Sequence, residues 1–356
     1  MHKDALIQSL RNRAILAPML ATTDIPFRAV CRERGAALTS TEMVSAAGIE
    51  RESSQSYRNA MITPEEHPVA MQIVAADPDR AAAAVQVLLN RKPDLFDLNC
   101  GCPNERICTA GAGAGLLDDL PRFGAVIEAV VRASSIPVTV KVRARGSSTQ
   151  NNVRDIVRTA ADSGAFFITV HARARNMAYE VAADWQHISD AVTATDVPII
   201  GNGDVYCAAD AFRMMDETGC HAMMVARGAL GTPWIFSDIA ERRRCGLDEH
   251  APNGDALLSL VRDHISAMLR EFGPVLAVPR IRKHVLWYAR RHDDFDALRT
   301  KLFSVDNADA VVDFAIRHFS DLPPLLDPDH PVRHVREDAF RRRILFWAEG
   351  RVPDEG

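Results

Sequence analysis

The chain has 356 residues, 47% hydrophobic and 25% charged, with 42 Lys+Arg against 47 Asp+Glu for a formal net charge of −5. That is enough apolar material for a large core, and it excludes disordered and collagen-like classes. No apolar run reaches the ~18 residues of a spanning helix, and Met1-His2-Lys3-Asp4 lacks the basic-then-apolar order of a signal peptide, so a cytoplasmic protein without a membrane partner is expected.

Seven cysteines spread along the chain, with no CxxC pair, point to reduced thiols rather than a disulfide framework or structural zinc. In chain order, eight short apolar or β-branched runs precede residue 230: Ile15–Met19, Ala37–Val44, Val69–Val74, Leu95–Cys100, Pro137–Arg143, Phe166–Arg173, Pro198–Asp204 and Ala222–Ala229. Helix-compatible stretches separate them, among them Asp79–Leu89, Pro121–Arg132, Asn152–Ser163 and Ala208–Thr218. Eight βα units on this length predict an α/β fold, a (β/α)8 TIM barrel, over residues 1–240. The pattern stops at Glu241-Arg-Arg-Arg-Cys245-Gly246. Beyond it, Asp255–Phe272, Val278–Arg291, Phe295–Leu302, Ala308–His318 and a last short helix near Glu337–Ala348 predict a smaller all-α domain over 241–356.

In such a barrel, chemistry belongs to the C-terminal ends of the strands. Those ends carry Pro18-Met19, Glu42, Gln72, Asn99, Lys141, Arg143, His171, Arg173 and Asn202-Gly203-Asp204. So many polar groups aimed into one mouth need a ligand or water to satisfy them. Gly201-Asn202-Gly203-Asp204 and Ala226-Arg227-Gly228 are glycine-rich turns after strands 7 and 8, a frequent phosphate site in barrels, although either turn alone is common. Lys141, His171 and Gln72 then suit an electron-rich heterocycle, which flavin mononucleotide (FMN) would satisfy. Cys102, in Asn99-Cys100-Gly101-Cys102-Pro103, sits in a loop that presents its thiol as acid or nucleophile. Thr109–Gly115 (TAGAGAG) is a mobile segment or a close backbone approach. Lys141 as a Schiff-base lysine would instead make an aldolase. With only Glu42 and Asp204 as carboxylates at strand ends, no metal is expected.

Taken together, ILAPM (15–19), TEMVSA (41–46), FDLNCGCP (96–103), PVTVKVR (137–143), ITVHAR (168–173), PIIGNGDV (198–205) and ARGALGTPWIF (226–236) resemble the tRNA-dihydrouridine synthases, in order across the first 240 residues. Arg282-Lys283-His284 through Trp287-Tyr288 is similar to the start of that family's helical domain. The resemblance implies an FMN-dependent barrel that reduces the C5–C6 bond of uridine in tRNA, with NADPH or NADH recharging the flavin. It implies that hydride from flavin N5 reaches C6 and that Cys102 protonates C5. Pro18, Met19, Gln72, Lys141 and His171 match flavin-contacting positions. Asn202, Gly203, Asp204, Ala226, Arg227 and Gly228 match the phosphate end. Asn99, Arg173, Tyr179, Arg282 and Lys283 fall on the expected substrate side.

Two departures thin out the substrate side. His171-Ala172-Arg173-Ala174 stands where the family has HGRT, with Met177 in place of a glutamine, and Ala110 replaces a lysine after Cys102. From Glu241 to Gly356 there are 19 Lys+Arg against 20 Asp+Glu, so tRNA would need a local Arg-rich face. The best clusters are Arg280 to His284 with Arg290-Arg291-His292, beside Trp287, and Arg341-Arg342-Arg343. Two other readings stay open: an FMN-dependent barrel reductase of a free pyrimidine, and an RNA-binding barrel without turnover. The spacing fixes neither the uridine position nor the oligomeric state.

Overall fold

The computed structural model describes residues 3–146, 152–246, 249–327 and 329–342. Nine strands, β1 Ala14–Leu16, β2 Thr39–Ser40, β3 Val44–Ser45, β4 Val69–Val74, β5 Leu95–Cys100, β6 Val138–Arg145, β7 Ile168–Ala174, β8 Ile199–Asn202 and β9 Ala222–Val225, form one parallel sheet. Their order is β1-β9-β8-β7-β6-β5-β4-β2, with β3 also on β4. The two ends of that order meet. Ile15 bridges Leu38 in parallel, Ala37 N donates to Ala14 O at 2.9 Å, and Leu16 N donates to Leu38 O at 2.9 Å. The sheet is therefore a closed eight-position TIM barrel with the interposed helices outside it.

The expected second strand, Ala37–Val44, is broken into β2 and β3. Between the pairs Ser40↔Ala70 and Val44↔Ile73 the outer segment advances four residues and β4 only three, so one residue bulges out. Thr41 fills the gap: its hydroxyl accepts the N–H of Gln72 at 3.1 Å. The last expected strand, Ala222–Ala229, also ends early, and Arg227–Ala229 form a short 3-10 turn.

The outer helices follow from local chemistry. In Val153–Asp162 the buried residues Val153, Ile156, Val157 and Ala160 make one stripe. Asn152 accepts from Asp155 N while Asp155 returns a bond to Asn152 N, a capping box. The helix Lys3–Leu10 buries Leu6, Ile7 and Leu10 in one cluster with inward residues from the N-terminal ends of the strands, including Leu95, Phe167 and Ile200. That end of the barrel is thereby plugged with apolar side chains. No helix among the described residues is long and apolar enough to cross a membrane.

The chain divides into two compact units, Met1–Ala226 with Ile235–Gly246, and Arg227–Trp234 with Leu247–Gly356. The second unit has no strand among its described residues and its own core, in which Trp234, Leu286, Tyr288 and Phe319 take part. Its long element Gly254–Ala289 is two helices, as the sequence suggests. At Gly273 φ is 70° and ψ 167°, and Pro274 follows. The helix Pro331–Arg342 replaces the expectation near Glu337–Ala348, of which residues 343–348 lie outside the described residues.

The expected Arg-rich face is not a solvent face. Lys283, Arg290 and Arg291 are 7%, 3% and 5% exposed. Arg290 and Arg291 both reach Glu337 Oε1, at 3.1 and 2.8 Å, and Arg290 also donates to Leu230 O. Arg282 is tied to Leu302 O at 2.9 Å, to Val305 O and to Asp306. His284 and Trp287 are buried beside Lys283. The helical spacing that groups these residues is real, but the shared stripe turns inward, where carboxylates and carbonyls neutralise it. Of Arg341 to Arg343, no side chain is described.

One buried ion pair fastens the barrel wall. Arg28 Nε meets Glu66 Oε1 at 2.7 Å with both side chains 3% exposed, and its other nitrogens donate to Thr23 O and Met61 O. Replacing Glu66 by Ala strands that guanidinium, and a loss of about 3–5 kcal/mol is expected. Thermal unfolding checks this: Glu66→Ala should lower the midpoint sharply, and Arg28→Met/Glu66→Leu should lower it clearly less.

Candidate active site

Alternation along each strand sends every second residue into the barrel, and the parallel register stacks these residues in rows. Gln72, Asp97 and Thr139 are side by side on β4, β5 and β6. Two residues nearer the C-terminal ends, Asn99 opposes Lys141. Next come Arg143, His171 and Asn202 on β6, β7 and β8. The interior is thus apolar at the plugged end and polar at the mouth.

The lower polar row is fully bonded. Asp97, 3% exposed, accepts from Gln72 Nε2 at 2.7 Å and from Thr139 Oγ1 at 2.8 Å. Gln72 Oε1 accepts from Asn99 Nδ2 at 2.8 Å, and Asn99 Oδ1 accepts from the backbone N–H groups of Gly101 and Cys102 at 3.2 and 2.9 Å. Gln72 is 1% exposed, so the amide expected to face a heterocycle lies beneath the surface with both ends engaged. Burial pushes the Asp97 carboxyl above its ordinary value, against the hydrogen bonds from Gln72 and Thr139.

Lys141 is half-buried, and its ammonium has no hydrogen bond or ion pair among the described residues. Desolvation, with the Arg143 charge second, lowers its pKa to about 8. Cys102 is half-buried; burial raises its thiol, so it stays protonated at neutral pH. Its loop is held by a close backbone approach, which resolves the Thr109–Gly115 segment. Ala114 N and Cys108 Sγ both donate to Cys102 O, at 3.0 and 3.3 Å. At Gly113, with φ of 58°, a Cβ would stand 2.8 Å from that carbonyl.

On the β7–β8 side the expectation changes. Arg173 is 1% exposed rather than at a substrate surface. Its Nη2 lies 2.8 and 2.7 Å from the two Asp204 oxygens, and it donates to Val181 O at 2.7 Å and to Tyr179 O at 3.2 Å. Asp204 also accepts from Ala183 N, and Trp185 Nε1 donates to Gly203 O at 2.9 Å. Arg173 and Asp204 therefore pin the 179–185 loop to the mouth instead of facing a ligand themselves. The loop carries Tyr179, 44% exposed, over which lie Arg143 and Arg173 at 5.7 and 5.6 Å and beside which His171 stacks at 6.2 Å.

Among the other expected residues, Asn202 Nδ2 donates to Met224 O at 2.8 Å, and a Cβ on Gly203, where φ is 127°, would stand 2.9 Å from Ala183. Pro18 and Met19 are half-exposed after β1, and the Thr23 hydroxyl pairs with both backbone groups of Met19. Ala226 closes the first unit; Arg227 and Gly228 are grouped with the second. Arg282 and Lys283 belong to the second unit's interior. Asp97 and Thr139 escaped the sequence analysis, and the signal was available. A carboxylate inside the apolar strand LFDLNC falls on the same alternate face as Asn99.

A family model described as dihydrouridine synthase matches residues 15–321. The chain belongs to the dihydrouridine synthase family. Among relatives of this family member, a probable tRNA-dihydrouridine synthase of Rickettsia prowazekii (strain Madrid E) is 33% identical over 79% of this chain and 86% of that protein. The tRNA-dihydrouridine synthase B of Xanthomonas axonopodis pv. citri (strain 306) is 32% identical over 89% of this chain and 97% of that one. The tRNA-dihydrouridine synthase B of Pseudomonas putida, strain KT2440, is 31% identical over 85% and 90%.

The packing around Gly113 makes it a sensitive position in this family member. Gly113→Ala forces a side chain into left-handed backbone and against the Cys102 carbonyl, so a stability loss of about 1–3 kcal/mol is expected. Denaturant titration measures that loss, and mass-spectrometric alkylation should show Cys102 reacting faster in the variant.

Proposed function

We propose that this family member reduces the C5–C6 bond of uridine in tRNA, with FMN bound at the mouth and NADPH or NADH as the final reductant in the cytoplasm. The observation that carries this is the presence of Cys102, a protonated and half-buried thiol, and Lys141, a cation with no hydrogen bond or ion pair among the described residues, at one mouth of a dihydrouridine synthase barrel. The relatives' names supply the tRNA substrate.

The donor set fits a flavin. An ammonium with no hydrogen bond or ion pair among the described residues, in a half-buried mouth, favours an electron-rich or anionic ligand over a neutral one. His171, opposite Arg143 in register and with its Nε2 3.4 Å from Arg173 Nη1, lines the same mouth, and the backbone at Met19 is fixed by Thr23. Asn202, Gly203 and Ala226 form the glycine-containing turn region after β8 and β9 that suits a phosphate end; at Gly203 the left-handed backbone (φ 127°) and the closeness of Ala183 and His171 leave no room for a side chain of its own. Bound there, the flavin supplies the hydride that adds to the pyrimidine C6.

The chain's own residues do the rest. Cys102 Sγ holds a proton at neutral pH and delivers it to C5, which balances the hydride and saturates the bond. Asn99 fixes the Cys102 loop and stands beside Lys141 in register, within reach of the same ligand. Tyr179, exposed and stacked on His171, gives a flipped uridine an aromatic plate, held in place by Arg143 and Arg173. The alternative, a reductase of a free pyrimidine, gains one specific observation: the second unit spends Arg282, Lys283, Arg290 and Arg291 internally.

Cys102→Ala should keep a yellow, flavin-loaded protein and lose about 10²- to 10⁴-fold in uridine reduction; full activity would sink the acid role. Dihydrouridine in tRNA from cells with and without the gene separates tRNA from a free base, since identical content counts against the tRNA reading. The Lys141 charge gives a pH test. Lys141 is protonated below about 8, so flavin affinity of the flavin-free protein should fall as pH rises through that value. Fluorescence titration should show this for the native chain and a flat profile for Lys141→Met.

A further inference from the structure

We propose that Asp97 is a positioning residue: through Gln72 and Asn99, its buried carboxylate fixes the orientation of the loop that carries Cys102. The inference rests on the reading above only in giving Cys102 the acid role.

Asp97 accepts at both oxygens, from Gln72 Nε2 and Thr139 Oγ1, the pattern of an ionised carboxylate even though burial raises its pKa, and a backbone N–H can only donate. Asp97 stands at one end of the chain of bonds and the N–H groups of Gly101 and Cys102 at the other. Between them lie two amides, each able to face either way. With an acceptor at Asp97, Gln72 must present its NH2 there and its carbonyl to Asn99. Asn99 must then present its NH2 to Gln72 and its carbonyl to Gly101 and Cys102, as observed. Flipping either amide alone opposes donor to donor and acceptor to acceptor. Flipping both breaks the bonds at the two ends.

Thr139 completes the device. Its hydroxyl takes the second Asp97 oxygen, so the carboxylate cannot rotate to offer a different partner. Asp97, Gln72 and Thr139 are buried, where a mismatched polar pair cannot fall back on water, while Asn99, Gly101 and Cys102 are half-buried. The carboxylate thus acts at a distance on the acid, by polarity passed along two side chains from β5 to β4 and back to β5.

A polarity swap tests this without a flavin or a tRNA. In flavin-free protein, the alkylation rate of Cys102 by iodoacetamide is read by peptide mass spectrometry. Gln72→Glu opposes two carboxyl groups and should speed Cys102 alkylation about tenfold, the equivalent of one lost charge-assisted hydrogen bond. Asp97→Asn removes the fixed acceptor and should speed it severalfold. The double variant Asp97→Asn/Gln72→Glu restores a donor facing an acceptor at every step and should return to within about threefold of the native rate. Native-like rates in both single variants would overturn the proposal, as would a double variant that reacts faster than Asp97→Asn. If Gln72→Glu does not fold, the comparison of Asp97→Asn with the double variant decides. A flavin-loaded assay on the same proteins should show kcat falling in each variant that alkylates faster and recovering in the double variant, with KM for tRNA unchanged. Full activity of Cys102→Ala would overturn the acid role while leaving the alkylation result intact.

Discussion

Closure of the barrel is the constraint on which the rest of the structure depends. Once Ile15 and Leu38 join the two ends of the sheet, every inward side chain must find its partners among other inward side chains. At the end covered by the helix Lys3–Leu10, apolar residues such as Leu95, Phe167 and Ile200 meet that demand by packing. One layer higher, Gln72, Asp97 and Thr139 meet it by hydrogen bonding. At the mouth Lys141 has no hydrogen bond or ion pair among the described residues. The candidate site is where the barrel runs short of internal partners.

The loops follow from the same accounting. Arg173 is inward and charged, so it needs a carboxylate, and Asp204 at the start of the next loop supplies one. That pairing consumes both residues as ligands for anything else. It also fixes Gly203, Trp185 and the backbone of 179–183, and so gives Tyr179 a defined place at the surface. A polar residue at a strand end is therefore of two kinds. Some touch a ligand, while others hold the ones that do, and only the partners of each reveal which.

This separates what the sequence made legible from what it did not. The eight-position barrel was legible because hydrophobic runs and capped helices alternate on a regular spacing, and the placement of Cys102, Lys141 and His171 at its mouth was legible because strand ends are. The break between Thr39 and Val44 was not, since a bulge is set by register against β4 and leaves no periodic trace. Arg173 was misassigned for a related reason: its sequence neighbours say nothing of Asp204, thirty-one positions on. Asp97 was hidden in a motif whose cysteine drew attention, although its alternation with Asn99 marked it as inward.

The arginines of the second unit carry the same lesson about charge. Helical spacing correctly gathers Lys283, Trp287 and Arg291 on one stripe, but spacing cannot say whether that stripe faces water. Glu337, some fifty residues away, decides it by neutralising Arg290 and Arg291 together. A buried cation that is hydrogen-bonded to a carboxylate is not available to a phosphate without leaving that partner behind. Net charge near zero in this unit is then what its interior chemistry requires. Any contact it makes with an anionic polymer must come from cations other than these.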